Sequence, residues 1–310
     1  MSARVLITGG AGFIGSALAK KMLEDGHDVS VVDDLSFGRR HLAPVPDERF
    51  HQVDIRDRAA LLEVFRRERP EVVLHLAAVH FIPWCNTHPV EAADININGT
   101  INVLGACADI PGVRQVFVAS TAAVYPIVDG PISEHHPTGP LDIYGTTKLA
   151  TEKIASEFHL RTGTPVVIGR FFNAFGPNET NPHLIPEIQR QVLSGSRTLR
   201  LGNLDPKRDF IHTGDMARAM TALLAAGIKG CEVFNIGRGI EYSVREIVAA
   251  FERQLGEALT IEVDPARVRK VERMHLLADV TKLKSATGWE PQWGIDEGVA
   301  TLLREEIELH

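Results

Sequence analysis

The chain predicts an α/β protein: a doubly wound parallel sheet followed by a smaller C-terminal α/β lobe. Two observations point there. In the first half, short β-branched runs alternate with amphipathic stretches, and the runs are almost continuously apolar, as strands covered on both faces must be. Beyond Asn173 that rhythm breaks, with Pro177, Pro182 and Pro186 interrupting shorter, irregular segments. The strand candidates are Arg4–Thr8, Asp28–Val32, 72–76, 115–119 and 166–170, and the helical ones 12–25, 59–69, 91–108 and 144–162. Strand–helix–strand alternation of this kind sets ligands at the carboxyl ends of the strands, near the switch in strand order. Residues 1–172, with about 209–236, are assigned to the sheet domain, and 173–208 with 237–310 to the lobe.

Composition narrows the class. Of 310 residues, 44% are hydrophobic and 24% charged, and the formal net charge is −7, which argues against broad nucleic-acid binding. No apolar run approaches the roughly twenty residues a membrane helix needs, and the start MSARVLITGG lacks the pattern of a secretory signal. Cys85, Cys107 and Cys231 are odd in number and without CxxC spacing, as expected of reduced thiols in a cytoplasmic protein. His135 and His136 are adjacent rather than three or four apart, so no metal site is expected.

Directly after the first strand, Gly9, Gly12 and Gly15 open a helix with GxxGxxG spacing. The first suits a tight turn, the second a close approach to a pyrophosphate, and the third helix–strand packing, while the helix N-terminus supplies N–H donors. Asp33 ends the second strand, where a carboxylate can hold both ribose hydroxyls of NAD and repel the extra phosphate of NADP. Arg39 and Arg40 nearby keep NADP as the minor alternative. Asp54 and Ile55, after a third short strand, are placed to flank the adenine.

Tyr144 and Lys148 stand four residues apart at the start of a helix, on one face. A neighbouring ammonium and an oxidised nicotinamide would lower the phenol toward neutrality and make it a general base. At the end of the fifth strand run, either Ser120 or Thr121 could bond the reacting alcohol.

Through these motifs the chain resembles the extended short-chain dehydrogenase family, in its NAD-dependent nucleotide-sugar epimerase and dehydratase branch. The resemblance runs nearly end to end, through TGGAGFIG, VVDDLS, DIRD, HLAA, VASTAAVY, YGTTK, RFFNAFGP, RDFIHTGD, FNIGRG and GWEPQWGIDEG. It implies a Rossmann-type sheet and a catalytic set of Thr121, Tyr144 and Lys148. For NAD it implies contacts from Gly9, Gly12, Phe13, Ile14, Gly15, Asp33, Asp34, Leu35, Asp54 and Ile55. Leu76, Ala77, Ala78, Asn96, Tyr144, Lys148 and Phe171 complete that set. For a nucleotide-diphosphate sugar it implies Thr121, Asn173, His183, Leu184, Leu199, Leu201, Arg208 and Arg269. Arg269 lies ten residues before Asp279, but RVRKVER departs from the usual Arg-x-Gly-Asp.

The family's reactions diverge after a shared 4-keto sugar. The 4,6-dehydratases carry an Asp-Glu pair directly after the threonine, and the decarboxylases a glutamate; this chain has Ala122 and Ala123. The resemblance therefore implies a 4-epimerase, with a UDP-sugar foremost, and a dehydratase or ketoreductase as the alternative. The bulky Val79–Trp84 stretch and Pro126, Asp142 and Ile143 depart from the usual pattern near the sugar. His80 could equally be a cleft-wall histidine or a substrate contact. The helices at 91–108 and 144–162 imply, by resemblance, a homodimer.

Overall fold

The computed structural model describes residues 2–179, 181–268 and 273–304. Its centre is a seven-stranded sheet. The first four strands are β1 (Arg4–Thr8), β2 (Asp28–Val32), β3 (Phe50–His51) and β4 (Val72–His75). After β5 (Gln115–Thr121) and the two-residue β6 (Pro131–Ile132) comes β7 (Val166–Phe171). Beyond β8 (Asn173–Phe175), β9 (Thr198–Leu201) and β10 (Lys207–His212), β11 (Cys231–Ile236) closes the sheet at its far edge. The order is β11-β7-β5-β4-β1-β2-β3, every pairing parallel. The winding reverses between β1 and β4, which makes their carboxyl ends the crevice of the sheet.

The strands are apolar along their length because both faces are covered. On one face pack α1 (Phe13–Glu24) and, from beyond residue 200, α8 (Thr213–Ala225) and α10 (Thr281–Thr287), around Ile7, Val31, Leu74, Met216 and Leu223. On the other lie α2 (Arg58–Glu68), α5 (Gly99–Asp109) and α6 (Ile143–Thr162), around Leu6, Val73, Val116, Phe65 and Phe158. Between β4 and α5 run two short helices, α3 (Ile82–Thr87) and α4 (Pro89–Ala93), and a π-helical turn at Asp94–Asn98.

The proline-rich region forms its own core. The helices α7 (Leu184–Leu193), α9 (Val244–Leu255) and α11 (Ile295–Leu302) enclose Ile188, Leu199, Ile247, Phe251 and Val299. A small sheet orders β12 (Glu241–Ser243), β10 and β8, with Phe210 opposite Asn173 and Arg208 opposite Tyr242. Chain reversal here rests on capping: Ser243 and Glu246 form a reciprocal capping box at the start of α9. Asp209, buried among apolar groups, accepts N–H bonds from Arg238, Gly239 and Ala278 and so ties this sheet to the turn after β11.

Candidate active site

A cleft of about 990 Å³ runs along the carboxyl ends of the central strands and continues between them and the C-terminal lobe. At its first end is the glycine turn. Gly9 has φ +75°, and a Cβ there would lie 2.7 Å from the Ala77 amide nitrogen; one on Gly15 would lie 2.0 Å from the Gly9 carbonyl oxygen. Side chains are thus excluded where turn, strand and helix meet. Gly12 caps α1 with no side-chain bond, so the first-turn N–H groups face the cleft without an intrahelical acceptor. A bare helix N-terminus beside a turn too tight for side chains fits the pyrophosphate of a dinucleotide.

The Asp33 carboxylate accepts the Ala11 N–H (3.0 Å) and the Leu35 N–H (2.9 Å), pinning the glycine turn to the loop after β2. Burial raises its pKa against these two bonds. Each oxygen keeps a lone pair for a ribose hydroxyl. Asp34 bonds Ser36, and Asp54 is held below the usual carboxylate range first by Arg56. Arg40 turns inward to the carbonyls of Ala43 and Val45 and to Asp47, so it is committed to its own loop.

The reacting end is built by close approach. A Cβ on Gly145 would fall 2.5 Å from the Ala123 carbonyl oxygen, so α6 can press its first turn against the end of β5. Asp142 caps that turn through the Gly145 N–H (2.7 Å), which explains an acid in place of the usual residue there. Tyr144 is thereby brought beside Thr121 in the cleft, close enough for the hydroxyl to act on the phenol's pKa. Ser120 turns away into a buried network, donating to Glu152 (2.5 Å), which also takes two bonds from Arg170. Of the two hydroxyls the sequence left open, Thr121 is the one facing Tyr144.

The electrostatics differ from the sequence expectation. Burial pushes the Tyr144 phenol well above its ordinary value; the Thr121 hydroxyl draws it partway back, and Cys85 and Asp142 add to the rise. Lys148, itself buried, is brought down to about 8 by burial, with Glu152 opposing. In the chain alone desolvation outweighs the lowering that the Tyr–Lys spacing suggested.

Behind this pair a buried relay joins the glycine turn to α6. The Thr100 hydroxyl donates to the Asn96 carbonyl (2.6 Å), so it accepts from His75 Nε2 (2.9 Å); His75 Nδ1 then accepts from Thr8 (2.7 Å). The tautomer is fixed by elimination, and burial, then Lys148, lower this imidazole to about 3. Asn96 does not line the cleft. It bonds Val79 and donates to Thr147 (3.0 Å), between the catalytic-type residues of α6.

The remaining expected residues divide. Phe13, Ile14, Ile55, Leu76, Ala77, Ala78, Phe171, Asn173, His183, Leu184, Leu201 and Arg208 line the cleft. Leu35 and Leu199 do not: Leu35 packs on the core under β2 with φ +64°, and Leu199, on the same face of β9 as Leu201 but two residues earlier, is fully buried in the lobe core. Arg269 lies outside the described residues. Sequence reasoning passed over Arg273, four residues on. It lines the cleft, donates to the carbonyls of Tyr125 (2.5 Å) and Pro126 (3.1 Å), and is lowered by burial and then by the charge of Arg208. Two guanidiniums close enough to repel one another mark the place for an anion. Glu179 and Asn181 also line the cleft and were not foreseen. Trp84, by contrast, stacks on His88 and edges Phe37, away from the wall left to His80, Phe81, Ile82 and Pro83. Among the described residues there is no acid, histidine or cysteine cluster able to hold a metal ion.

This architecture is that of a dinucleotide-dependent enzyme with a second ligand lobe. Over residues 5–237 the chain matches the NAD dependent epimerase/dehydratase family, and it belongs to that family. It is 34% identical to the UDP-glucose 4-epimerase of Lacticaseibacillus casei over 96% of this chain and 95% of that one. Its fold matches the Thermus thermophilus UDP-glucose 4-epimerase solved with NAD at a TM-score of 0.86, with 32% identity and coverage of 96% and 97%. MoeE5, solved with UDP-glucuronic acid and NAD, matches at 0.84, also with 32% identity, covering 96% of each chain.

Proposed function

We propose that the chain is an NAD-dependent 4-epimerase of nucleotide-diphosphate sugars, acting on a UDP-sugar through a transient 4-keto intermediate. The observation that carries this is the convergence of Thr121, Tyr144 and Lys148 at the sheet's carboxyl edge, in one cleft with the glycine turn and with Arg208 and Arg273. NAD, when bound, supplies the hydride acceptor and the positive charge of its oxidised ring. Tyr144 takes the proton of the C4 hydroxyl, Thr121 holds that oxygen, and the Lys148 ammonium favours the phenolate against the burial that opposes it. Arg208 and Arg273, with Asn173, hold the diphosphate. The alanines after Thr121 hold no proton to give or take, and Ala122 is itself buried, so no group there can expel the C6 hydroxyl. The ketone turns over and is reduced on its other face.

The division into sheet residues 1–172 with 209–236 and lobe residues 173–208 with 237–310 assigns dinucleotide to the first and sugar nucleotide to the second, except that α10 packs on the central sheet and belongs with it. Exposed Ile101 on α5 and Leu160 on α6 support a homodimer through those helices. Three unpaired cysteines suit the cytoplasm, and among the described residues no helix is long and apolar enough to cross a membrane.

The test is Tyr144→Phe. The wild-type chain converts UDP-glucose to its C4 epimer without added cofactor and releases NAD on denaturation. The variant still carries NAD but loses about 10²–10⁴-fold in kcat. Wild-type turnover in the variant refutes the assignment.

A further inference from the structure

Across the cleft from Tyr144, a polar bridge joins the lobe to the wall of the sheet domain. Glu179 is 5% exposed at its side chain, and its carboxylate faces the cleft. It accepts the Asn181 N–H (3.1 Å) and the Asn181 amide nitrogen (3.3 Å), and His183 Nδ1 stands 3.6 Å from it. Because a carboxylate only accepts, the nitrogen end of the Asn181 amide is turned toward it. The second hydrogen of that nitrogen points to His80 Nε2, 3.1 Å away and 101 residues distant in sequence. His80 therefore carries its proton on Nδ1 and is neutral in this bridge. The rings of His80 and Phe81 both lie against His183, with centroids 6.1 and 6.0 Å apart. His80 is close enough to Lys148 to be lowered further by its charge, which places the bridge at the reacting end of the cleft.

Burial works to raise the Glu179 pKa, but His183 and the Asn181 N–H bring it below the ordinary range, so the carboxylate stays charged at neutral pH. The wall facing the sugar thus combines the Glu179 carboxylate, the Asn181 amide and the apolar surfaces of Phe81, Ile82 and Pro83. We propose that the Glu179–Asn181–His80 bridge selects the sugar, admitting uncharged UDP-hexoses and rejecting UDP-uronates. This rests on the 4-epimerase reading above. In that reaction the ring is presented to the cleft in two orientations, so its C6 substituent meets this wall in one of them. A hydroxymethyl can donate to Glu179; a carboxylate there sets like charge against the buried Glu179 carboxylate. The fold itself does not decide, since MoeE5, with the same architecture, was solved holding UDP-glucuronic acid.

The experiment compares kcat/KM for UDP-glucose and UDP-glucuronic acid in the wild type and in Glu179→Gln. The wild type favours UDP-glucose by about tenfold or more, and the variant brings the ratio to within about threefold of parity, mainly through a gain on the uronate. A wild type that prefers the uronate, or a ratio unmoved in the variant, overturns the proposal while leaving the epimerase assignment intact. Turnover of neither sugar by NAD-loaded wild type defeats both. Should the variant fold poorly, competition in the wild type decides: UDP-glucuronic acid inhibits UDP-glucose turnover only at concentrations about tenfold or more above the KM. Equal potency contradicts the selection.

Discussion

Tyr144 sits where two physical demands conflict. Removing water sharpens every charge in the cleft, yet the same burial raises the phenol that must lose its proton. The residues around it show how that conflict is moderated. Thr121 draws the phenol partway back, and Lys148, at about 8, is close to losing its own proton and so to giving up its help. Glu152 opposes that loss and is in turn held by Arg170 and Ser120, neither of which turns toward the sugar. A small set of buried polar groups behind the strand end thus sets the electrostatics in front of it.

At the scale of elements, placement depends on how closely α6 approaches β5. Gly145→Ala puts a methyl against the Ala123 carbonyl and the Pro140 ring, at 2.5 and 2.9 Å, which α6 can relieve only by moving outward. We expect kcat to fall about 10²-fold, as for a misplacement on the order of 1 Å, with NAD content retained. Unchanged kcat in a folded variant shows that this approach does not position Tyr144. The glycine turn, the YxxxK pair and the first sheet strands were legible because local chemistry dictates them: tight turns require glycine, and strands buried on both faces require continuous apolar runs. The lobe was harder to read. Leu199 and Leu201 share one face of β9, so the alternation legible in sequence could not say that only the later one reaches the cleft. Arg273 and the Glu179–His80 bridge come from segments far apart in the chain, so their convergence left no local signal.

Across the whole molecule, buried titratable groups set the acid response. His75 at about 3 and His212 at about 4 both lie below their ordinary 6.5, lowered first by burial, so from pH 6.5 down to about 4 the unfolded chain binds protons that the native state refuses. Asp209, raised to about 6 from 3.8 by burial, works in the opposite sense, its native form taking up the proton first. His51 and His80 are lowered as well and Asp33 is raised, so the lowered imidazoles outnumber the raised carboxyls. Stability accordingly falls on acidification between about pH 6 and 4, measurable by urea unfolding. A flat profile there contradicts these burial assignments. The central claim, hydride leaving and returning at one carbon with no second acid/base step, is tested most directly by isotope. UDP-glucose deuterated at C4 is incubated with the enzyme in ordinary water and the epimer examined by NMR, alongside unlabelled sugar in D₂O. The account predicts an epimer that keeps its deuterium at C4 and takes up none from solvent at C3 or C5. Loss of the C4 label, or solvent deuterium at C5, contradicts it and turns His80 and Glu179 from a selecting wall into acid/base groups.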